Sequence, residues 1–182
     1  MEDSTISIVG IIIASILMFI VPLILIADRG DDISQLTTQT LTAQFVDNII
    51  KQGKITNEDY QSFLTSLQSS GNTYDVSIEI KILDENTAQR DTISTGQGKV
   101  GQNSYYSIFT TQIEEQLEST DAEGNINDLN KTGQIILKEG DIISVTAKNS
   151  SKTLSQTLKN IYYTIRGEDL HIIASTSTGT IA

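Results

Sequence analysis

Four oxygen-bearing side chains occupy alternate positions in an acidic, asparagine-rich segment. They are Asp121, Glu123, Asn125 and Asn127. Carboxylate and amide oxygens are the ligands that Ca²⁺ takes in proteins, and at this spacing they could wrap one calcium ion. The EF-hand pattern is not met, because Gly124 comes fourth instead of sixth and Thr132 stands where the bidentate glutamate belongs. A solvated acidic loop is therefore the favoured interpretation, and a calcium site is the alternative.

A second pattern with possible chemistry is the glycine series Gly96, Gly98 and Gly101, which matches G-x-G-x-x-G. In a dinucleotide site this motif directly follows a strand and opens a helix, whose N-terminus then meets the pyrophosphate. Here it follows residues 91–95, which are polar and lack the apolar run of a buried strand. The glycines therefore indicate a flexible loop in preference to a phosphate site.

The inventory of reactive side chains is small. The chain of 182 residues has no cysteine, which excludes disulfides, thiolate metal sites and thiol nucleophiles. Its one histidine, His171, lacks the partners for a catalytic triad or a transition-metal site, and we assign it a structural or surface role. Carboxylate pairs for acid–base chemistry are not excluded among 23 acidic residues. With no nucleophile, metal or phosphate signature, we expect no enzyme and no cofactor.

Charge restricts the partners. The net charge is −11, from 23 acidic and 12 basic residues, and the basic residues are scattered along the chain. Nucleic-acid binding needs a positive surface, so it is not expected. The same balance argues against attraction to an anionic lipid surface. No small-molecule substrate is evident from the pattern either.

An uncharged apolar segment, Ile6 to Ala27, lies close to the N-terminus. At a rise of about 1.5 Å per residue it spans about 33 Å, the thickness of a bilayer core. A buried core helix and a secretory signal are the alternatives. A core helix rarely stays uncharged for this length, and a signal has a basic leader where this chain has Met-Glu-Asp-Ser-Thr. We therefore predict a retained transmembrane helix.

The chain divides into four predicted parts. They are a tail (residues 1–5), a transmembrane helix named the span (residues 6–27), a helical stem (residues 28–51) and an α+β head (residues 52–182). The stem is polar before Leu41 and then carries apolar residues at i, i+4, i+8 spacing, which indicates docking on the head. Arg29 is the one positive charge that flanks the span, on the side of the head, and a single arginine does not set the orientation by the positive-inside rule. We place the head outside the cytoplasm, or facing the capsid in a virus.

Hydrophobic periodicity predicts the elements of the head. A helix begins after the N-cap Thr56 and stops near Gly71. Tyr74 to Ile82 alternates strictly between apolar and polar residues, which is typical of a strand with one buried and one wet face. Further elements are a helix at 105–118, strands at 134–137, 141–148 and 170–175, and a helix with Leu154, Leu158, Ile161, Tyr162 and Ile165. The predicted fold is α+β, a small antiparallel or mixed sheet with helices packed on one face.

This layout is similar to that of type IV pilins and pseudopilins, which join an apolar N-terminal helix and a helical stem to a compact α+β head. The stretches FVDNIIKQGKIT, SGNTYDVSIEIKILDEN, LKEGDIISVTAKNSSKTL and IIAST resemble a family of small membrane-anchored proteins linked to Tad-type pilus systems. One feature departs from the pilin pattern. Pilin-type processing follows a glycine or alanine, with glutamate usually fifth beyond it, whereas Ser15 is fifth after Gly10. No residue role is therefore carried over.

The resemblance implies a structural or assembly subunit of an envelope filament, with the bilayer and other subunits as its partners. A membrane-anchored minor component of a virion capsid or internal membrane fits the same layout. A tethered enzyme or receptor is the third hypothesis, and the lack of catalytic signatures counts against it. The sequence does not separate the first two, because each uses an apolar helix that packs against neighbours.

Overall fold

A computed structural model describes residues 2–84, 105–117, 133–166 and 172–182. Its helices are α1 (Glu2–Gln52), α2 (Asn57–Gln68), α3 (Thr110–Leu117) and α4 (Leu154–Arg166). Its strands are β1 (Lys54–Thr56), β2 (Tyr74–Leu83), β3 (Tyr105–Phe109), β4 (Gln134–Ile136), β5 (Ile142–Asn149) and β6 (Ala174–Thr180). The fold is α+β, as the sequence predicted, and its main sheet is antiparallel.

The longest element, α1, contains both the span and the stem and continues through Pro22. It ends at Gln52, where Gly53 adopts a φ of 66° and donates its N–H to the carbonyl of Ile49. In the described ranges, α1 is the one helix long and apolar enough to cross a membrane. Every residue from Ser4 to Leu23 is exposed, so the head does not cover that length.

Four strands form the main sheet, in the order β3-β2-β5-β6. The alternation in β2 puts Ile78 and Ile80 on the buried face, where they pair with Val145 and Ile143 of β5. Polar residues line the opposite face, and hydroxyl pairs there link β5 to β6. A second, two-stranded sheet pairs β1 with β4. Period-two patterning thus gives the main sheet one dry and one wet face.

The apolar core lies between the dry face of the sheet and helices α1, α2 and α3. The C-terminal part of α1 contributes Phe45, Val46 and Ile49, which are buried. Phe45 stacks on Phe63 of α2 with ring centroids 4.3 Å apart, and Ile113 of α3 joins the same core. Burying a large apolar side chain is worth about 1.5–3 kcal/mol, so the stem is part of what stabilises the head.

Strand β6 runs beside α1 and in the same direction, away from the span. Gln35 of α1 contacts Ala174 at the start of β6. Gly179, near the end of β6, lies next to Val46 and Ile50 of α1. A Cβ at Gly179 would collide with Cδ1 of Ile50 and lie 3.3 Å from Cγ1 of Val46. The missing side chain therefore lets the helix approach the strand closely.

The predicted helix after Thr56 is confirmed. Thr56 has extended backbone angles, and its side chain accepts the N–H of Asp59 at 3.2 Å, as an N-cap does. Tyr60, Phe63 and Leu67 are buried along one face of α2. The sequence was sufficient to predict α2, because its cap and its apolar spacing both lie within that one helix.

Two predicted elements were wrong in type or bounds, and one strand was not predicted. Residues 105–109, expected as helix, form β3, because they pair with β2 and set Ile108 beside Ile80. The last strand, expected at 170–175, begins at Ala174 and extends to Thr180. Its polar sequence is stabilised by α1 on one side and by β5 along its length. β1 was not expected, since pairing with the distant β4 is what makes it a strand.

Candidate functional site

The residues of the candidate calcium site lie outside the part of the chain that the structure describes. They are Asp121, Glu123, Asn125 and Asn127. The glycine motif at 96–101 and His171 lie outside it too. Among the described residues, no group of three or more histidine, aspartate or glutamate side chains is arranged to hold a metal ion. The calcium site stays a prediction.

The structure concentrates polar contacts where α1 leaves the span. The Asp28 carboxylate accepts a hydrogen bond from the Ser155 hydroxyl and pairs with Lys159, whose Nζ lies 2.6 Å from Oδ1. About one helical turn further on, Oδ2 of Asp31 accepts the Thr153 hydroxyl at 2.8 Å. We name these five residues the α1–α4 junction. It fastens the head to the first charged turn after the span.

Local sequence explains why α4 begins at this place. Thr153 is its N-cap: Oγ1 accepts the N–H of Gln156 at 3.1 Å, and Oε1 of Gln156 accepts the N–H of Thr153 at 3.2 Å. This reciprocal capping box satisfies two backbone donors. The N-terminus of a helix also carries partial positive charge, so Asp28 and Asp31 are favourably placed beside it.

The electrostatics of the junction favour an ionised Asp28. Its hydrogen bond to the Lys159 ammonium, and then its bond to the Ser155 hydroxyl, hold the pKa of Asp28 below its ordinary value. Desolvation acts in the opposite direction and is outweighed. The side chains of Asp28 and Lys159 are 33% and 28% exposed, so solvent screens the pair and limits its contribution to stability.

Gln35 makes the next contact along the stem. Its Nε2 donates to the carbonyl of Ala174 at 2.7 Å, and its Oε1 accepts the N–H of Ala174 at 3.1 Å. Because β6 is an edge strand, these two backbone groups have no neighbouring strand to pair with. The side-chain amide of α1 takes the place of that strand at this one residue.

Thr38 continues the polar row and is fully buried. Its hydroxyl donates to the Ser34 carbonyl at 2.7 Å and lies 3.0 Å from the hydroxyl of Tyr74, which is 3.1 Å from Oγ of Ser70. Buried polar groups are stabilising only when they are hydrogen-bonded, and these are. The stem before Leu41, which buries no apolar stripe in the head, is thus held to the head by hydrogen bonds.

These contacts join elements and do not assemble a nucleophile with a base. Asp141, the most buried carboxylate described, accepts the N–H of Leu83 with Oδ1 and the N–H of Lys138 with Oδ2. Oδ2 therefore serves the turn before β5, and Oδ1 serves the end of β2. A cleft of about 190 Å³ between α1 and α2 is lined by polar side chains such as Gln44 and Asn48. The arrangement at the junction is suited to mechanical coupling of head and span.

Sequence analysis did not identify the α1–α4 junction. Two of its signals were readable: Asp28 and Asp31 lie on one face of a helix, and Thr153 and Gln156 have the spacing of a capping box. No local pattern shows that these segments meet, because Asp31 and Thr153 are 122 residues apart in the chain.

Comparison of the chain with protein-family models, with curated proteins and with solved structures finds no match. Any assignment of function therefore depends on the geometry of α1 and the head.

Proposed function

We propose that this chain is a single-pass membrane-anchored structural subunit, a pilin-like component of an envelope filament. In this proposal α1 is both the anchor and the surface through which copies pack. The observation that carries it is a pair of exposed apolar side chains on the outward face of the stem, beyond the end of the span. Ile33 and Leu36 follow the charged residues at 28–32, yet they are 66% and 64% exposed.

Helical geometry places these two residues on the side of α1 that faces away from the head. Asp31 and Gln35 point toward the head, where they bond Thr153 and Ala174. Ile33 stands two residues from each of them, which is about 200° around the helix. Ile33 and Leu36 therefore lie on the side of α1 away from the head, and the exposed Arg29, one turn earlier on that face, separates them from the span.

Exposed apolar surface in water carries a free-energy cost of about 25 cal/mol per Å², so a covered stripe is the more stable arrangement. Copies inserted in one bilayer hold their α1 helices in the same orientation and at similar depths. Parallel packing of α1 against α1 would cover Ile33 and Leu36 together with the span. A filament built in this way carries the heads on its outer surface, on the extracytoplasmic side.

The resemblance in layout to type IV pilins and pseudopilins adds support. An apolar helix that continues unbroken into a stem, with an antiparallel sheet packed on the stem, fits that plan. The anchor itself is part of the proposal, because an apolar N-terminal helix of this length is common to anchors and signal sequences.

Immunogold electron microscopy of the intact source, with an antibody raised against residues 30–182, is the first test. Gold particles strung along fibres are the expected result. Gold on particles, or gold that binds only after a shell is opened, would replace the filament with a membrane-anchored virion component. Diffuse gold over a cell membrane would overturn both and favour a tethered receptor or enzyme.

A matched pair of variants tests the packing face. The double change Ile33→Asp and Leu36→Asp puts two carboxylates into the stripe, whereas Gln39→Asp puts one on an exposed position beside it. An unpaired buried carboxylate costs several kcal/mol, so we expect the assembled fraction to fall more than about tenfold in the double variant alone. Cross-linking of isolated membranes followed by sedimentation measures that fraction. Equal assembly of the double variant and Gln39→Asp contradicts the proposal.

A further inference from the structure

The first two turns of helix α4 carry an apolar stripe, Leu154 and Leu158. Leu154 is 59% exposed and Leu158 is half-buried, and neither belongs to the apolar core or packs against it. In the sequence, spacings of four, three and four residues continue this helical apolar pattern to Ile161 and Ile165. By contrast, α1, α2 and α3 all bury apolar residues in the core.

The position of α4 on α1 shows what lies next to this stripe. Its first two turns lie beside the end of the span, because Thr153 bonds Asp31 while Ser155 and Lys159 both contact Asp28. Residues 28 to 31 rise by only about 4.5 Å along α1. That distance is within the polar headgroup layer, which adds roughly 5–7 Å to each side of the hydrocarbon core.

The burial of residues in the span shows how far along α1 the head extends. Its residues are exposed from Ser4 to Leu23, but Ile24 is half-buried and Ala27 is 9% exposed. The head therefore reaches down to the last turn of the apolar segment, and α4 is the element that bonds α1 there. No length of linker separates the head from the bilayer.

The orientation of α4 about its own axis follows from three contacts. Ser155 and Lys159 face α1, and Gln156, which is buried, folds back on the N-cap. Gln156 lies two residues beyond Leu154, about 200° around the helix. Leu154 also lies about 100–140° around the helix from Ser155 and Lys159, so it points away from α1 and is exposed.

We infer that α4 is an interfacial helix, which lies in the surface of the bilayer that holds the span and buries Leu154 and Leu158 at the boundary of the acyl chains. This inference rests on the proposed membrane anchor. An amphipathic helix with basic residues on its polar side is suited to such a surface. Residues 154–166 contain no acidic residue, and the exposed Lys152 precedes them. Lys159 is already paired with Asp28, so the inference depends on the apolar residues and on the position of α4 beside the span.

The chain has no tryptophan, so single tryptophan variants report their surroundings without background. The experiment uses the full chain reconstituted in phosphatidylcholine–phosphatidylglycerol vesicles that carry bromine at shallow or deep acyl positions. Leu154→Trp reports the stripe. Asn160→Trp, an exposed position on the polar side of the same helix, is the matched control. Leu17→Trp, in the middle of the span, reports insertion of the anchor separately.

The expected result is a blue-shifted emission for Leu154→Trp, quenched by shallow bromine, with Asn160→Trp emitting as in water and quenched by acrylamide. Leu17→Trp is expected to respond to deep bromine. If Leu17→Trp is quenched but Leu154→Trp behaves as Asn160→Trp does, the interfacial helix is overturned and the anchor stands. If Leu17→Trp also escapes bromine quenching, the anchor is overturned and the interfacial helix with it.

Discussion

Asp28 is the first charged residue after the span, and its carboxylate bonds two successive turns of α4. Since pairing lowers its pKa in the folded state, the unfolded chain takes up a proton more readily as the pH falls. The stabilisation is therefore fully present above the unfolded pKa and is lost as the pH falls through the folded pKa. Near neutral pH the junction is intact, and in acid it is weakened.

We expect Asp28→Asn to lower the free energy of unfolding by about 0.5–1 kcal/mol at pH 7, because the pair is partly exposed. The difference between this variant and the native chain should disappear in acid below the folded pKa of Asp28. Denaturant unfolding of the detergent-solubilised chain across pH measures it. Asp32→Asn, at an exposed carboxylate, is the control and should leave stability unchanged. A difference that persists in acid would show that another interaction is responsible.

Gly179 permits the close approach of β6 to α1, and the collision expected there is specific. A Cβ at this position meets Cδ1 of Ile50, which is the one atom that Ile50→Val removes. We expect Gly179→Ala to destabilise the head by about 1–3 kcal/mol, as overpacking does. Much of that loss should be recovered in the double variant Gly179→Ala with Ile50→Val.

A double-mutant cycle measures this coupling from the four unfolding free energies. If the two single effects simply add, the contact between Gly179 and Ile50 does not limit the packing of α1 on β6. Gly179→Val should be worse than Gly179→Ala, because Val46 also lies close to the added Cβ.

At the scale of elements, α4 depends on its cap. Thr153 closes the capping box and also donates to Asp31, so Thr153→Ala removes a cap worth about 1 kcal/mol together with one bond of the junction. We expect faster amide hydrogen exchange in the first turns of α4, with β2 and β5 unchanged. Thr157→Ala is the matched control in the same helix. Equal exchange in the two variants would mean that other contacts hold α4.

The elements also show where sequence analysis was sufficient. Helix α2 and strand β2 were predicted because their apolar spacing and the Thr56 cap are local. The strand β3 was predicted as helix because Tyr106 and Phe109 have the i, i+3 spacing of a helical stripe, whereas in β3 they lie on opposite faces. Pairing with β2 decides between helix and strand, and that pairing joins residues far apart in the chain, such as Lys81 and Ser107.

At the scale of the whole molecule, the stem belongs to the folded head. We expect residues 28–182, without the span, to unfold cooperatively at nearly the midpoint of the full chain, because they retain the core and the α1–α4 junction. A fragment of residues 53–182 lacks Phe45, Val46 and Ile49, and each large core deletion costs about 2–5 kcal/mol. That fragment should show no cooperative transition. Circular dichroism during urea unfolding tests both fragments. A stable 53–182 fragment would show that the head folds without the stem.

The direction of β6 restricts how copies assemble. Because β6 runs parallel to α1, two copies in one bilayer present parallel β6 edges. Antiparallel pairing of two β6 edges needs a two-fold axis perpendicular to the strands. Such an axis would point the two anchors in opposite directions. Antiparallel sheet extension through β6 is therefore closed to neighbours anchored in one membrane, which is compatible with the proposed packing through α1.

The sequence by itself determined the apolar helix, the α+β class, the alternation of β2 and the first cap of the head, because each depends on residues within one turn or one strand of each other. Only the tertiary structure decided that a polar stem is hydrogen-bonded to the head at Asp28, Asp31, Gln35 and Thr38. It also decided that Leu154 and Leu158 of α4 stay outside the core. Both depend on contacts between segments far apart in the chain, and a local pattern of apolar and polar residues does not specify which distant surface it will meet.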